Sequence, residues 1–200
     1  MPTGPGGLDS NGIWQFGEDD SEALASDLLN LGMGSVSTAL TNLEPAGVLQ
    51  VVSVAKTDTF TMSSSTYADV TGLSVSITPS SSSNKILVLS NVSMGQTVVG
   101  GGVNMQLLRD ATAIFIGDAA GGRPRTSFGS RFDPTGSNQE QTSASPVFLD
   151  APNTTSPVTY KIQVRIGSGG VVTVNRSGLD SDSVQFPRSS SSITVMEVAG

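Results

Sequence analysis

The side chains able to do chemistry in this 200-residue chain are carboxylates, guanidiniums, hydroxyls and a few aromatic rings, because it holds no histidine and no cysteine. Losing histidine removes the commonest general base near neutral pH and the commonest metal ligand. Losing cysteine removes disulfide frameworks, thiolate metal sites and thiol nucleophiles. Paired carboxylates remain, and Asp118, Asp133, Asp150, Asp180 and Asp182 fall in or beside loops, yet no spacing singles out an acid and base couple. Loop aspartates are commonly turn formers. Asp180-Ser181-Asp182 could offer oxygens to calcium but lacks the glycine and distal glutamate of an EF-hand loop. Gly100-Gly101-Gly102 and Gly121-Gly122 are not followed by Lys-Ser/Thr or by a helix, so they read as turns and not phosphate loops. The expectation is a protein that is not an enzyme, with no catalytic residue, no metal and no cofactor.

Binding chemistry is better represented. The longest unpatterned stretch, 117–146, carries Arg123, Arg125 and Arg131 together with Phe128 and Phe132. A stretch this long within a domain is usually functional or disordered. Guanidiniums make forked hydrogen bonds to carboxylate and phosphate groups, and aromatic rings stack on sugars, so these five are candidate receptor contacts. The alternative is structural, with the arginines paired to Asp118, Asp133 and Glu140. A second irregular segment, 177–188, holds Asp180, Asp182, Phe186 and Arg188.

Charge is distributed unevenly. The net charge is −7, and Asp9, Glu18, Asp19, Asp20, Glu22, Asp27 and Glu44 all precede Pro45 while the first basic residue is Lys56. The remaining acids and bases cancel, so the whole imbalance sits in the leader, either as a solvated acidic tail or as a docking element. Clustered Lys/Arg able to displace counterions is absent, which argues against nucleic-acid binding. No apolar run approaches 18 residues and the start of the chain has neither a basic nor an apolar region, so neither membrane insertion nor a signal peptide is expected.

The elements that would position these groups fall into three parts. Residues 1–20 read as an extended, Gly/Pro-rich leader in which Trp14 and Phe16 need something to bury against, either their own domain or another protein. Residues 21–46 read as a short helix, capped at Asp20 or Ser21 and ended by Pro45, with Leu29, Met33, Val36, Leu40 and Leu43 at heptad a and d spacing. Gly32 and Gly34 make such a helix marginal alone, so the choice lies between an oligomerising coiled coil and an amphipathic helix packed on its own domain.

From residue 47 to 200 the period becomes 2, with about ten short strands at the spacing of an antiparallel β-sandwich or jelly roll. Val158 to Ile166 alternates without exception, and Gly167-Ser168-Gly169-Gly170 followed by Val171 to Asn175 predicts a hairpin. Val103 to Leu108 and Ala113 to Ile116 predict a second one. Strands are also expected at Val48–Ala55, Thr57–Met62, Tyr67–Val70, Leu73–Thr78, Val147–Leu149 and Ile193–Val198, with the serine runs 63–65, 80–83 and 189–192 at strand ends. Ile86-Leu87-Val88-Leu89 reads as a strand covered on both faces, in the core or at a protomer contact.

Two segments carry a family resemblance. Leu8-Asp9-Ser10-Asn11-Gly12-Ile13-Trp14-Gln15-Phe16-Gly17-Glu18-Asp19-Asp20 with the Leu24 to Leu40 helix resembles the leader of minor tail and fibre proteins of tailed bacteriophages. Val51 to Phe60, Val70 to Pro79 and Val158 to Val164 resemble a β-sandwich found at the distal ends of such fibres. The resemblance implies a homotrimer in the virion, docked on other virion proteins through Trp14, Phe16, Asp19 and Asp20, with the C-terminal domain meeting a host glycan or receptor. The long shaft of typical fibres is missing, and a head fibre or collar appendage suits the length equally. A structural decoration protein and a glycan-degrading enzyme are the alternatives, although depolymerases of this kind resemble long repeat-bearing β-helices and no repeat is present here.

Overall fold

Alternation of apolar and polar side chains dominates the chain after residue 47, and the computed structural model is accordingly mainly β, built from antiparallel sheets. It describes residues 7–8, 14–15, 47–132 and 138–200. The chain divides into two units, Met1–Pro45 and Ala46–Gly200. In the first, β1 (Gly7–Leu8) pairs antiparallel with β2 (Trp14–Gln15), Leu8 opposite Trp14. The expected helix of residues 21–46 lies outside the described residues.

Among its described residues the second unit holds twelve strands in two sheets. The larger contains β3 (Val48–Lys56), β4 (Phe60–Met62), β6 (Lys85–Gln96), β10 (Gln141–Ala144), β11 (Val147–Asp150), β13 (Val172–Val174) and β14 (Ser191–Val198). The smaller contains β5 (Ala68–Ile77), β7 (Gly102–Arg109), β8 (Thr112–Ile114), β9 (Phe128–Arg131) and β12 (Val158–Ser168). Their apolar sides share one core: Leu73, Val75 and Ile77 of β5, Met105 and Leu107 of β7, and Tyr160, Ile162 and Val164 of β12 lie in one cluster with Ile86, Val88, Val92 and Met94 of β6 and Ile193 and Val195 of β14.

Strand β12 behaves as its alternation requires. Val158, Tyr160, Ile162 and Val164 are buried while Thr159, Lys161, Gln163 and Arg165 line the opposite side. The hairpin expected to follow it does not form. Strand β12 pairs with β5 and β7, whereas β13 pairs with β4 and β6 in the other sheet, so the chain changes sheets at the glycines. Gly169 and Gly170 do take the positive φ of a tight turn. What redirects the chain is pairing beyond them, where Thr97 donates its backbone N–H to the Val171 carbonyl (3.1 Å) and its hydroxyl accepts from the Val171 N–H (2.9 Å). The β7–β8 hairpin forms as expected. Tyr67–Val70 and Leu73–Thr78, read as separate strands, are merged by β5, which runs through Gly72 at φ +87°.

Strand β6 is the spine of the larger sheet, with β10 and β11 on one edge and β13 and β14 sharing the other. Ile86 and Val88 are fully buried, while Leu87 and Leu89 on the outer side are only half-buried, so the expected cover on both faces is incomplete. Where β13 stops and β14 starts, the Ser191 side chain and the Asn175 backbone complete the ladder. The Ser93 N–H donates to the Ser191 hydroxyl oxygen (3.0 Å), and the Ser93 carbonyl accepts from the Asn175 N–H (2.9 Å). The Ser191 hydroxyl in turn donates to Oδ1 of Asn175 (2.6 Å), whose Nδ2 donates to the carbonyls of Lys56 and Asp58 (2.9 Å each). Asn175 is fully buried and sits at φ +64°, a left-handed conformation that asparagine tolerates better than most residues.

Two further polar groups are buried among the strands. Asp150 at the end of β11 accepts two hydrogen bonds from Arg109 Nη1 of β7 (2.9 and 3.0 Å) and one from the Tyr160 hydroxyl of β12 (2.7 Å), joining the sheets. Burial and this contact with Asp150 push the Tyr160 hydroxyl well above the usual phenol range. Glu197 of β14 accepts from four neutral donors: the Ser80 N–H (2.6 Å) and hydroxyl (2.8 Å), Asn84 Nδ2 (2.6 Å) and Gln50 Nε2 (2.5 Å). Burial alone would raise this carboxyl, but the hydrogen bonds from Asn84, Gln50 and Ser80 outweigh it and hold it at about 2.

Two outcomes follow from these buried groups. Asn175→Ala removes three side-chain bonds and leaves a strained φ, and is expected to cost about 2–4 kcal/mol. That corresponds to a melting temperature lower by roughly 5–15 °C in a thermal scan. Asn175→Gly relieves φ without restoring the amide, so the difference between the two isolates the backbone share. Glu197, with a folded value below its ordinary 4.5, contributes stability that is fully present above pH 4.5 and is lost as pH falls through about 2. Urea midpoints measured from pH 7 to 2 should therefore fall less steeply for Glu197→Gln than for the native chain across that window, from a lower starting point at pH 7.

Candidate functional site

Loops at the C-terminal end of β6 are drawn together by hydrogen bonds to backbone carbonyls. The Asn138 side chain donates to the Thr97 carbonyl (3.2 Å), the Leu179 N–H donates to the Asn138 carbonyl (3.0 Å), and Gln141 Nε2 donates to the Pro187 carbonyl (2.9 Å). The 177–188 segment is thereby held against the last turn of β6. Gly178 marks the closest approach, since a Cβ there would collide with the Gln96 carbonyl.

Within this segment lies an open groove of about 400 Å³ lined by Asp180, Ser181, Asp182, Ser183, Phe186 and Arg188. Asp180, at φ +49°, is its fixed point. Arg188 grips it through Nε (3.2 Å) and Nη2 (2.9 Å), and Arg176 Nε lies 3.6 Å from the same carboxylate. Both Asp180 oxygens are thus engaged. The carboxylate of Asp182 and the hydroxyl of Ser181 make no hydrogen bond among the described residues and remain able to meet a ligand, beside the half-buried ring of Phe186. Carboxylate and hydroxyl acceptors next to an aromatic face are the elements that recognise saccharides, whose hydroxyls donate and whose C–H faces stack. Among the described residues no group of three or more His, Cys, Asp or Glu side chains is placed to hold a metal ion.

The candidates of the 117–146 stretch are dispersed. Two strands, β9 and β10, interrupt it, ordered by pairing with β7 and β6 and not by any apolar alternation of their own, which is why the sequence reads as a loop. Residues 133–137, including Asp133, lie outside the described residues. Phe132 is buried, 5% exposed, within the core, so its ring is not available to stack on a sugar, contrary to expectation. Phe128 is half-buried against the same core. Arg131 Nε donates to the Gly100 carbonyl (3.2 Å) at the β6–β7 turn. Arg125 Nε donates to the Gly117 carbonyl (2.6 Å), while the Arg125 carbonyl accepts from Gln106 Nε2 (2.8 Å) on the outer side of the smaller sheet. Arg123 is exposed, its N–H donating to the Ala120 carbonyl (3.2 Å).

Of the leader candidates, Trp14 is placed in β2, and Phe16, Asp19, Asp20, Leu29, Met33, Val36, Leu40 and Leu43 lie outside the described residues. The groove itself was hinted at by the run Asp180-Ser181-Asp182 with Phe186 and Arg188. No motif distinguishes that run from an ordinary turn, and only the folding of 177–188 onto β6 makes it concave.

Because the three arginines are exposed and bond to backbone carbonyls near the surface, replacing Arg123, Arg125 and Arg131 together with Ser is expected to cost no more than about 1 kcal/mol. In a thermal scan the melting temperature should fall by roughly 2–4 °C. A drop of more than 10 °C would show that they hold the fold together.

No protein-family model matches this chain, and no curated protein matches it. Solved structures do. The chain is similar to the VP2 subviral particle of infectious bursal disease virus, with a TM-score of 0.37 and 8% identity over 75% of this chain and 41% of that one. Structures of the Gt and Gx strains of the same virus match with TM-scores of 0.38 and identities of 11% and 12%, over 75% of this chain and 38% and 36% of theirs. The chain spans about two fifths of the length of the structures it matches.

Proposed function

We propose that this chain is a virion appendage protein of a tailed bacteriophage, a small fibre or minor tail protein that binds the host surface and catalyses nothing. In this reading the leader docks on other virion proteins through Trp14 and Phe16, with Asp19 and Asp20 meeting a basic surface. Leu29, Met33, Val36, Leu40 and Leu43 join three chains, and the two sheets form a sandwich of the jelly-roll kind that faces a host glycan. The observation that carries it is the division of labour along the chain. All of the net charge of −7 lies before Pro45, the boundary at which the chain divides into two units, and the unit that follows is neutral and mainly β among its described residues. A chain with a charged, aromatic-bearing leader and a separate β unit is suited to holding one partner at each end.

The saccharide end of this reading is supported by the groove at 180–188, where an unengaged carboxylate and hydroxyl sit beside a ring. Particles made without this protein are expected to adsorb poorly to host cells while retaining normal morphology. Normal adsorption would favour a decoration role instead. Trp14→Ala should leave the purified protein folded but absent from particles, and Phe186→Ala with Asp182→Ala should weaken binding of purified protein to host polysaccharide without changing its melting temperature. Release of reducing ends from that polysaccharide would instead make it a depolymerase.

A further inference from the structure

Several cations of the β unit are held by carboxylates: Lys56 by Asp58, Lys161 by Asp69, Arg109 by Asp150, and Arg176 and Arg188 by Asp180. Arg125, Arg131 and Arg165 form no ion pair among the described residues, and all three border the outer face of the smaller sheet. On that face Gln163 and Arg165 of β12 stand opposite Gln106 and Asn104 of β7, Asn104 stands opposite Gly129 of β9, and Gly102 opposite Arg131. Paired residues of antiparallel strands share a face. The guanidinium carbon of Arg165 lies 5.5 Å from the centre of the Tyr67 ring, and the Arg125 carbonyl is bonded by Gln106 Nε2, which brings Arg125 to the same field. Each guanidinium is anchored in the same way. Its Nε donates to a backbone carbonyl, of Gly117 for Arg125 (2.6 Å), of Gly100 for Arg131 (3.2 Å) and of Ile166 for Arg165 (3.2 Å). The terminal nitrogens of all three make no hydrogen bond among the described residues. The half-buried Asn104 amide, next to Arg165, has no partner among them either. Glycines flank it: a Cβ at Gly129 would come within 3.2 Å of its Oδ1, and one at Gly167 within 3.3 Å of its Nδ2. Side chains at those two positions would press on the amide, and their absence leaves it room to meet a ligand.

We infer that this field, with Arg125, Arg131 and Arg165 around Asn104, binds an acidic polysaccharide through its carboxylate or phosphate groups. Charge selects an anion. Asp69, the carboxylate that β5 places on this face, is already occupied by Lys161 and Gln163 (2.8 and 2.7 Å), and Asp118 in the loop before Arg125 forms no ion pair with the three arginines. The terminal nitrogens that remain are those that make forked hydrogen bonds to carboxylate and phosphate. Spacing selects a polymer. Arg165 and Arg131 stand two strands and one row apart, about 12 Å by strand geometry, too far to share one anion. The positions between and beside them offer the Asn104 amide and the unbonded Oε1 atoms of Gln106 and Gln163, groups that pair with sugar hydroxyls. A nucleic acid fits less well, since base stacking needs open aromatic faces and Tyr67, the ring at this site, already carries Arg165. That the polymer is a host surface glycan rests on the function proposed above, whereas the anion site stands on the geometry of this face. Its chemistry is the opposite of the 180–188 groove, where the free groups are a carboxylate and a hydroxyl.

The test uses the full-length protein on immobilised polygalacturonate, polyglycerol phosphate, neutral dextran and single-stranded DNA, with binding read at several salt concentrations. The native chain is expected to bind one or both acidic polymers, more weakly as salt rises, and not the dextran. The two acidic polymers distinguish a carboxylate from a phosphate ligand. Arg131→Ser with Arg165→Ser should weaken that binding by about tenfold or more with the melting temperature nearly unchanged. Phe186→Ala with Asp182→Ala should leave it as it is. If the double serine variant does not fold, Asn104→Asp serves in its place: it keeps the side-chain shape, breaks no hydrogen bond, and sets a negative charge where the anion would lie, so it should remove binding. No binding to either acidic polymer, or binding unchanged in these variants, would overturn the inference. Equal binding to dextran or to single-stranded DNA at the same salt would overturn it as well. The host-surface reading fails separately, since normal adsorption of particles lacking the protein would overturn that reading and leave the anion site standing.

Discussion

One edge of β6 has to serve two strands, and the larger sheet depends on how that seam is closed. A backbone N–H and C=O left unpaired in the interior would each cost as much as a lost hydrogen bond, and Ser93 lies where β13 has ended and β14 is only beginning. Asn175 and Ser191 supply the missing partners. The Asn175 side-chain amide also reaches the carbonyls of Lys56 and Asp58 and accepts from the Ser191 hydroxyl, so one buried residue, through its backbone N–H and its side chain, ties the end of β3, the middle of β6, the exit of β13 and the start of β14. Its left-handed backbone is the geometry that turns the chain out of β13 at that point. The 177–188 segment and its groove begin two residues later, so the position of the candidate site is set by this seam.

Two buried carboxylates act at other junctions in the same way. Asp150 joins β11 to β7 and β12, and therefore one sheet to the other. Glu197 joins the last strand to β3 through Gln50 and to the turn between β5 and β6 through Ser80 and Asn84. Apolar packing between sheets is non-directional and would permit slippage, whereas hydrogen bonds to fixed partners do not. The polar residues inside this unit thus specify which strands meet, and the apolar ones supply the driving force for their meeting. The outer faces of the two sheets differ in composition: around Asp69 the polar side chains of the smaller sheet bond one another, whereas on the larger sheet Val51 and Leu149 are each about half exposed.

Period-2 alternation in Leu73 to Thr78, Val103 to Leu108 and Val158 to Ile166 was enough to identify strands and to say which side chains face inward, because alternation is local and the pleat leaves no choice once one face is buried. The β7–β8 hairpin was legible for the same reason, its two strands being neighbours in the chain. Which strand lies beside which over long separations was not. The glycines after β12 suggest a hairpin, and their φ values suit one, but β13 goes to the other sheet because its partners are β4 and β6, bonds made by residues more than seventy positions away. Strands β9 and β10 escaped notice because edge pairing, and not their composition, orders them. Of the candidate site, residue types were visible at Asp180, Asp182, Phe186 and Arg188, while the concavity was not, since it arises from Gly178 packing against Gln96 and Leu179 bonding Asn138. Residue chemistry is written one position at a time; a surface is written by pairing between distant segments, and that follows from the free energy of the whole fold.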